Sequence, residues 1–245
     1  GLSREAIILD PGRSVTGADL DRFLAFIARR EESEPVSRIL EEREFYGRAF
    51  RVTPATLDPR PDTETLIDAA LALMPEGARL LDLGTGTGAI AVTLLAERPE
   101  ATGVATDVSP AALEVARGNA RSHGVADRLQ LVEGSWFLPV QGAFDMILSN
   151  PPYIPAADIE GLSPDVRNFD PWLALLGGVD GLDPYRAIAS GAPSHLSAGG
   201  HVLVEIGAGQ AEAVAAVFKG AGFTGAGRHQ DLGGHVRCLV FRHGA

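Results

Sequence analysis

The sequence predicts an α/β protein whose largely parallel sheet is covered on both faces. Two observations carry this. From residue 61 onward, short apolar runs alternate with segments of helical period. Turn residues, chiefly glycine and proline, fall where those runs stop. The 245 residues are 45% apolar and 22% charged, ample for the core of one large domain or of a domain with a small appendage.

The elements follow in chain order. Thr16 to Arg30 reads as a helix, with Leu20, Phe23, Leu24 and Ile27 at helical spacing and Thr16 with Asp19 as a capping pair. Glu31 to Pro35 is charged and ends in proline, a boundary. Phe45 to Val52 reads as two short strands around a glycine turn. Pro61 opens a helix through Leu66, Ile67, Ala70 and Leu73, proline being favoured at the first helical position. Then come a strand at Arg79 to Leu83, a helix at Ala89 to Ala96, a strand at Thr102 to Asp107 and a helix at Pro110 to Ala120. Strands at Leu129 to Val132 and Phe144 to Leu148 precede an irregular stretch. A helix near Tyr185 to Leu196, a strand at His201 to Ile206 and a helix at Ala211 to Phe218 follow. Two strands near Phe223 to Arg228 and Val236 to Phe241 end the pattern. The division expected is a partial helical segment at 1–35, a linker and hairpin at 36–60, and the main domain at 61–245.

Composition narrows the function classes. The net charge of −11 is unfavourable for sequence-independent binding to a phosphate backbone, so no direct nucleic-acid partner is expected. A single cysteine, Cys238, excludes an internal disulfide and fits a reducing cytoplasm. No apolar run is long enough to span a bilayer, so no membrane partner is expected. The six histidines are scattered, and no metal site is expected. The first residue is Gly1 rather than Met, which fits a trimmed chain.

Three features sit at predicted strand ends. Asp82-Leu83-Gly84-Thr85-Gly86-Thr87-Gly88 follows the first sheet strand and opens a helix. Glycines there let a backbone approach a ligand closely. The spacing is not Gly-x-Gly-x-x-Gly, and an acid at Asp82 repels phosphate while attracting an ammonium. S-adenosylmethionine has an α-ammonium and no phosphate, so it is the expected cofactor; a tight structural turn is the plainer alternative. Asp107 ends the second strand, placed to accept both hydroxyls of a ribose or simply to cap a helix. Trp136, after the third strand, either covers an adenine or packs in the core.

The third feature is Asn150-Pro151-Pro152-Tyr153, directly after the apolar run Phe144 to Ser149. Asn150 offers a carbonyl acceptor, two prolines remove N–H donors and stiffen the turn, and Tyr153 adds a flat face. Such a corner can hold a planar –NH2 group by both hydrogens. The expected chemistry is displacement at a sulfonium methyl by that nitrogen. Asn150 and the Pro151 carbonyl are the acceptors, and catalysis comes from position rather than from a strong base. Arg60 and Glu64 either shape the substrate entrance or pair with each other on the surface.

The chain resembles the protein-(glutamine-N5) methyltransferases of peptide chain release factors, the HemK-like proteins. The resemblance rests on Arg43-Glu44-Phe45-Tyr46-Gly47, Pro59-Arg60-Pro61-Asp62-Thr63-Glu64, Asp82 to Gly88, Asn150 to Tyr153 and Glu205-Ile206-Gly207. It implies a seven-stranded class I methyltransferase fold with an antiparallel last strand and a small helical N-terminal domain. It also implies a cofactor loop at Gly84 to Gly88, a ribose acid at Asp107, an aromatic cofactor contact at Trp136 and a substrate loop at Asn150 to Tyr153. The implied substrate is the glutamine of the release-factor Gly-Gly-Gln motif. Three departures from the pattern stand out: Asp58 replaces an apolar residue, Glu41 a glycine and Ser135 an acid. The rival readings are methylation of a ribosomal-protein glutamine, methylation of a nucleic-acid amine, and a non-catalytic cofactor-binding scaffold.

Overall fold

The computed structural model describes residues 4–244. Two helices lead, α1 (Arg4–Leu9) and α2 (Ala18–Glu31), then α3 (Val36–Leu40) and a hairpin of β1 (Glu42–Phe45) and β2 (Arg48–Arg51). The main body runs α4 (Glu64–Leu73), β3 (Arg79–Leu83), α5 (Ala89–Glu97), β4 (Thr102–Asp107), α6 (Pro110–Ser122), β5 (Leu129–Glu133) and β6 (Phe144–Ser149). It ends with α7 (Pro164–Phe169), α8 (Asp183–Gly191), β7 (Leu196–Glu205), α9 (Ala211–Gly220), β8 (Phe223–Gln230) and β9 (Val236–His243).

The seven main strands form one sheet in the order β5-β4-β3-β6-β7-β9-β8. Neighbours from β5 to β7 are parallel, and β9 runs antiparallel to both β7 and β8. The expected doubly covered α/β sheet with an antiparallel last strand is what the chain forms. Period-two alternation splits the apolar runs between two layers. Leu80, Ala105, Met146, Leu148 and Leu203 pack with α4 and α5 in one cluster. Leu81, Leu83, Val104, Ile147, Val202 and Val204 pack with α8 and α9 in the other. Strand order reverses around β3, which lies between β4 and β6, and the crevice at such a point is where α/β sheets hold ligands.

The hairpin belongs to this body, because Phe45 and Phe50 are buried in the first cluster. Its strands begin three residues earlier than the sequence predicts and close on Tyr46-Gly47, both at positive φ (50° and 69°). A two-residue turn of that shape matches strand twist. Tyr46 is held there by its amide bond to Glu64 Oε1 (2.9 Å) and its hydroxyl bond to Asp68 Oδ1 (2.8 Å).

Four boundaries differ from expectation. The helix predicted from Thr16, α2, starts at Ala18 behind Gly17, with no side-chain cap, so Thr16 and Asp19 do not form the predicted pair. Its apolar stripe is exposed: Phe23 and Leu24 are each 55% accessible. The helix predicted from Pro61 opens as a tight turn over Pro61–Thr63 and becomes α-helical at Glu64. The helix predicted to reach Leu196 ends at Gly191, because Pro193 has no N–H to donate; β7 therefore begins at Leu196 instead of His201. The irregular stretch after β6 contains α7, which its short apolar content concealed.

Candidate active site

A cavity of about 400 Å³ opens at the carboxyl ends of β3, β4 and β6. Its walls include Gly84 to Thr87, Asp107, Ser135, Trp136, Asn150 and Pro152. Residues predicted from four separate strand ends therefore share one chamber.

Backbone geometry builds one wall. The amides of Gly84 and Thr85 both donate to the Thr106 carbonyl at 2.9 Å, which folds the loop back across β4. Gly86 sits at φ 55°, and its amide donates to Asp107 Oδ2 at 2.9 Å. The other carboxylate oxygen, Oδ1, accepts from the Ser109 amide at 2.9 Å. Asp107 thus braces the loop with one oxygen and the start of α6 with the other. The helix cap is Ser109, whose hydroxyl accepts from the Ala112 amide, so the alternative role of Asp107 as N-cap does not hold. Gly88, at φ 81°, faces α6, where a Cβ would meet the Ala116 Cβ at 3.2 Å. Its part is to let α5 and α6 approach, and it does not line the cavity.

Asp82 lies beneath this loop, fully buried and off the cavity wall. Its Oδ2 accepts from the Thr85 hydroxyl at 2.6 Å, and Oδ1 has no hydrogen-bond partner. Burial pushes its carboxyl up to about 7; the Thr85 and Ala91 donors oppose this, and Asp107 adds to it. An open acceptor on a buried acid fits an incoming cationic donor such as an ammonium.

Asn150 forms the facing wall. β6 is pinned to β3 by the Ser149 hydroxyl, which donates to the Leu83 carbonyl at 2.7 Å. The Asn150 Nδ2 donates to Thr63 Oγ1 at 3.1 Å, which leaves Oδ1 free for an outside donor. Pro151 is buried, and neither it nor Tyr153 lines the cavity. The Tyr153 ring packs against the α8–α9 cluster, and its carbonyl accepts from Gln210 Nε2 at 2.9 Å. Gln210 also accepts from the Gly207 amide at 2.9 Å, so it staples the Asn150 corner to the end of β7. A Cβ at Gly207 would sit 2.8 Å from that Gln210 oxygen, which explains a glycine there.

Arg60 and Glu64 stand outside this chamber and are not paired with each other. Arg60 Nη2 meets Asp170 at 3.0 Å beside a second cavity of about 270 Å³, and Glu64 holds the hairpin turn as described. Two sequence departures acquire a physical account. Asp58 faces the buried Arg38, whose Nε lies 3.2 Å from its Oδ1, although too poorly aligned for a hydrogen bond; Arg38 also meets Asp170 at 2.8 Å. Glu41 sits at φ 57° at the end of α3, a conformation that favours glycine.

Several contributors were not visible in the sequence. Asn119, 2% exposed, donates to the carbonyls of Arg51 (3.1 Å) and Thr87 (2.9 Å) and accepts from the Arg51 amide (2.9 Å). It ties the hairpin to the glycine loop. Its only signal was a polar residue on the apolar face of an amphipathic helix. Thr63 and Glu205 lie within the Pro59–Glu64 and Glu205–Gly207 segments, which by themselves assign them no role. Leu173 and Leu176 line the cavity and are 75% and 40% exposed, an apolar lip on its mouth.

Comparison with known proteins decides what this architecture belongs to. A release factor glutamine methyltransferase of Cereibacter sphaeroides is 56% identical over 221 residues, 90% of this chain and 79% of the relative. One from Rhodospirillum rubrum is 48% identical over 246 residues, covering 100% of this chain and 76% of the relative. The chain belongs to the release factor glutamine methyltransferase family. Residues 61–161 match the methyltransferase small domain, and residues 1–40 match the PrmC N-terminal domain. Solved structures agree on the fold. A methyltransferase from Pyrococcus furiosus aligns with a TM-score of 0.62 at 19% identity, over 92% of this chain and 98% of that one. A ribosomal protein L11 methylase from Lactobacillus delbrueckii subsp. bulgaricus gives 0.58 at 19% identity, over 87% and 92%. As a release factor glutamine methyltransferase, the chain is an S-adenosylmethionine-dependent enzyme. The loop, the open acceptor of Asp82 and the carboxylate of Asp107 suit that cofactor. Among the described residues, no helix is long and apolar enough to cross a membrane, and no acid, histidine and cysteine cluster suits a metal.

Proposed function

We propose that the chain methylates the side-chain amide nitrogen of the Gly-Gly-Gln glutamine in peptide chain release factors, and that the Asn150 corner presents that nitrogen. The observation that carries the assignment of the corner is the free Oδ1 of Asn150, which lines the same cavity as the glycine loop and Asp107. The cofactor supplies an electrophilic methyl on a sulfonium centre. The chain's own residues supply position.

An amide nitrogen is a weak nucleophile because its lone pair is delocalised into the carbonyl. It needs no base before attack, since its proton becomes acidic only as the new bond forms. Asn150 Oδ1 accepts one N–H; the Pro151 carbonyl, the second acceptor the sequence suggests, belongs to a buried residue off the cavity wall, so the role rests on Asn150. An oriented acceptor restricts rotation of the carboxamide and stabilises the positive character that nitrogen gains in the transition state. Well-oriented reactants supply roughly 7–11 kcal/mol through effective molarity. Asp107 holds the ribose hydroxyls with lone pairs left over from Gly86 and Ser109, and Trp136 covers the adenine. The apolar lip of Leu173 and Leu176 suits a protein substrate better than a charged nucleic acid. The setting is cytoplasmic, consistent with the one free cysteine, Cys238, buried and unpaired.

The deciding experiment incubates the protein with isotope-labelled S-adenosylmethionine and purified release factors, followed by mass spectrometry of the Gly-Gly-Gln peptide. A labelled methyl on that glutamine is expected. Label on a ribosomal-protein glutamine or on RNA, with none on release factors, would refute the substrate assignment.

A further inference from the structure

We infer that Glu205 is a positioning residue for methyl transfer, fixing through Thr63 which end of the Asn150 carboxamide faces the cavity. The inference rests on the reading that Asn150 Oδ1 accepts a hydrogen from the substrate amide.

Glu205 ends β7, is 2% exposed and does not itself line the cavity. Its backbone carbonyl is held by the Tyr185 hydroxyl at 2.9 Å. Thr63 and Asn150 are the polar side chains beside its carboxyl, and both favour its ionised form, while Oε2 has no hydrogen-bond partner. Thr63 is 4% exposed at the edge of the cavity, and its Oγ1 accepts from Asn150 Nδ2 at 3.1 Å.

A hydroxyl has one hydrogen. An ionised carboxylate can only accept, so beside ionised Glu205 the Thr63 hydrogen turns toward the carboxylate. The Thr63 lone pair then faces Asn150 and demands its NH2 end. Oδ1 is left toward the substrate. A protonated Glu205 can donate to Thr63 instead. The Thr63 hydrogen is then released toward Asn150, where it welcomes Oδ1, and the flipped amide offers two hydrogens to a substrate that also offers hydrogens. The polarity of a three-member chain is thus set by a buried charge that never meets the substrate.

The surroundings make that charge sensitive to pH. Burial pushes the Glu205 carboxyl up to about 7; Thr63, Arg237 and Asn150 favour the ionised form, and Asp62 opposes it. Arg237 on β9 is itself shared with Asp62 and Asp231, each at 2.9 Å. Tyr153, Tyr185 and Cys238 also face the carboxylate and stay neutral, their own ionisation pushed upward by burial.

The test measures kcat against pH at saturating cofactor and release factor, with cofactor affinity measured separately by calorimetry. In the unmodified enzyme kcat falls as pH drops below about 7. Glu205→Gln is neutral at every pH and can accept from Thr63 or donate to it, so the charge that fixes the Thr63 hydrogen is gone. There kcat falls by at least about tenfold, the cost of one misdirected hydrogen bond, the acidic limb flattens, and the cofactor dissociation constant changes by less than about threefold. A folded Glu205→Gln enzyme that keeps full kcat overturns the inference. So does one that loses kcat but keeps the acidic limb, since that marks a packing role only. If Glu205→Gln does not fold, Thr63→Val cuts the same chain without touching the carboxylate. It must lose kcat, and Thr63→Ser must retain more of it than Thr63→Val; full kcat in Thr63→Val overturns the inference. Asn150→Ala separates the two readings. An active Asn150→Ala enzyme refutes the acceptor role of the corner, whereas an inactive one beside a fully active Glu205→Gln enzyme refutes only the role of Glu205.

Discussion

In the cofactor half of the cleft, the groups are held mainly by backbone. Gly84 and Thr85 hang from the Thr106 carbonyl, Gly86 hangs from Asp107, and all of it lies within one β-α-β stretch of chain. In the substrate half, the groups are held by side chains brought together from afar. Asn150 depends on Thr63, 87 residues earlier, and the corner is stapled by Gln210, 57 residues after Tyr153. Each half hides one acid at a strand end, Asp82 under the loop and Glu205 behind the corner. The comparison teaches that a binding surface can be made by local turn chemistry, whereas the polarity of a hydrogen-bond acceptor needs long-range partners.

The largest expected effect tests the two acids together. Both carboxyls are raised to about 7 by burial, so in the window from about pH 4 to 7 the folded chain holds protons that the unfolded chain has released. Stability is therefore fullest at the acid end of that window and falls as pH rises through 7. The loss is on the order of a few kcal/mol for each acid. Urea unfolding of the ligand-free protein across that range measures it. Asp82→Asn should remove the share of the cofactor half, and Glu205→Gln the share of the substrate half. A flat profile in the unmodified protein would mean that neither acid is strongly perturbed. Bound S-adenosylmethionine should restore only the Asp82 share, since only that acid lies on the cofactor side.

Next in size is Asn150→Ala, which separates the halves most cleanly. Loss of one oriented acceptor in a preorganised site lowers kcat by about 10²–10³-fold. Cofactor affinity should hardly change, because the opposite wall is braced independently. Methylation of purified release factor gives the first quantity and calorimetry the second. A comparable fall in cofactor affinity would show that the halves are coupled.

Asp107→Asn reverses that pattern. It should weaken the cofactor by roughly 10–100-fold, the range for a hydrogen bond to a charged group, while kcat at saturating cofactor stays near normal. An unchanged dissociation constant would remove Asp107 from the ribose site and leave it as a brace for the Gly86 and Ser109 amides.

The same local and distant division governs how much was readable from the sequence. The sheet was legible because parallel strands buried on both faces are written as continuous apolar runs. The wall residues Gly84 to Thr87, Asp107, Trp136 and Asn150 were legible because each follows such a run directly. Asp82 was found, but its depth was not: the spacing gave an acid beside a loop, and only packing put it under the loop. Arg60 and Glu64 sit in a recognisable motif, which suggests either a substrate entrance or a mutual ion pair. Their partners, Asp170 and the Tyr46 amide, lie 110 and 18 residues away and lead elsewhere. Thr63, Asn119 and Glu205 show no pattern of their own; each matters through a contact that the chain makes only when folded. The apolar stripe of α2 correctly announced a helix but not a burial, because periodicity reports a face and not its partner.

The smallest expected effect concerns Trp136, for which the sequence left two readings open. The residue sits at φ 49°, its carbonyl accepts from the Thr106 hydroxyl at 3.3 Å, and it lines the cavity while packing against the α8–α9 cluster. Its backbone is therefore set by the end of β4 whatever its side chain does. If the ring covers the adenine, Trp136→Phe keeps a flat face and Trp136→Ala loses it. Aromatic contacts of this kind contribute about 0.5–1.5 kcal/mol beyond area burial, so alanine should raise the cofactor dissociation constant several-fold and phenylalanine less. If the ring is only core, alanine lowers the unfolding free energy of the ligand-free protein and leaves the affinity alone. Measuring both quantities on both variants tells the two apart, because only an adenine contact makes stability and affinity respond in different proportions to the two substitutions.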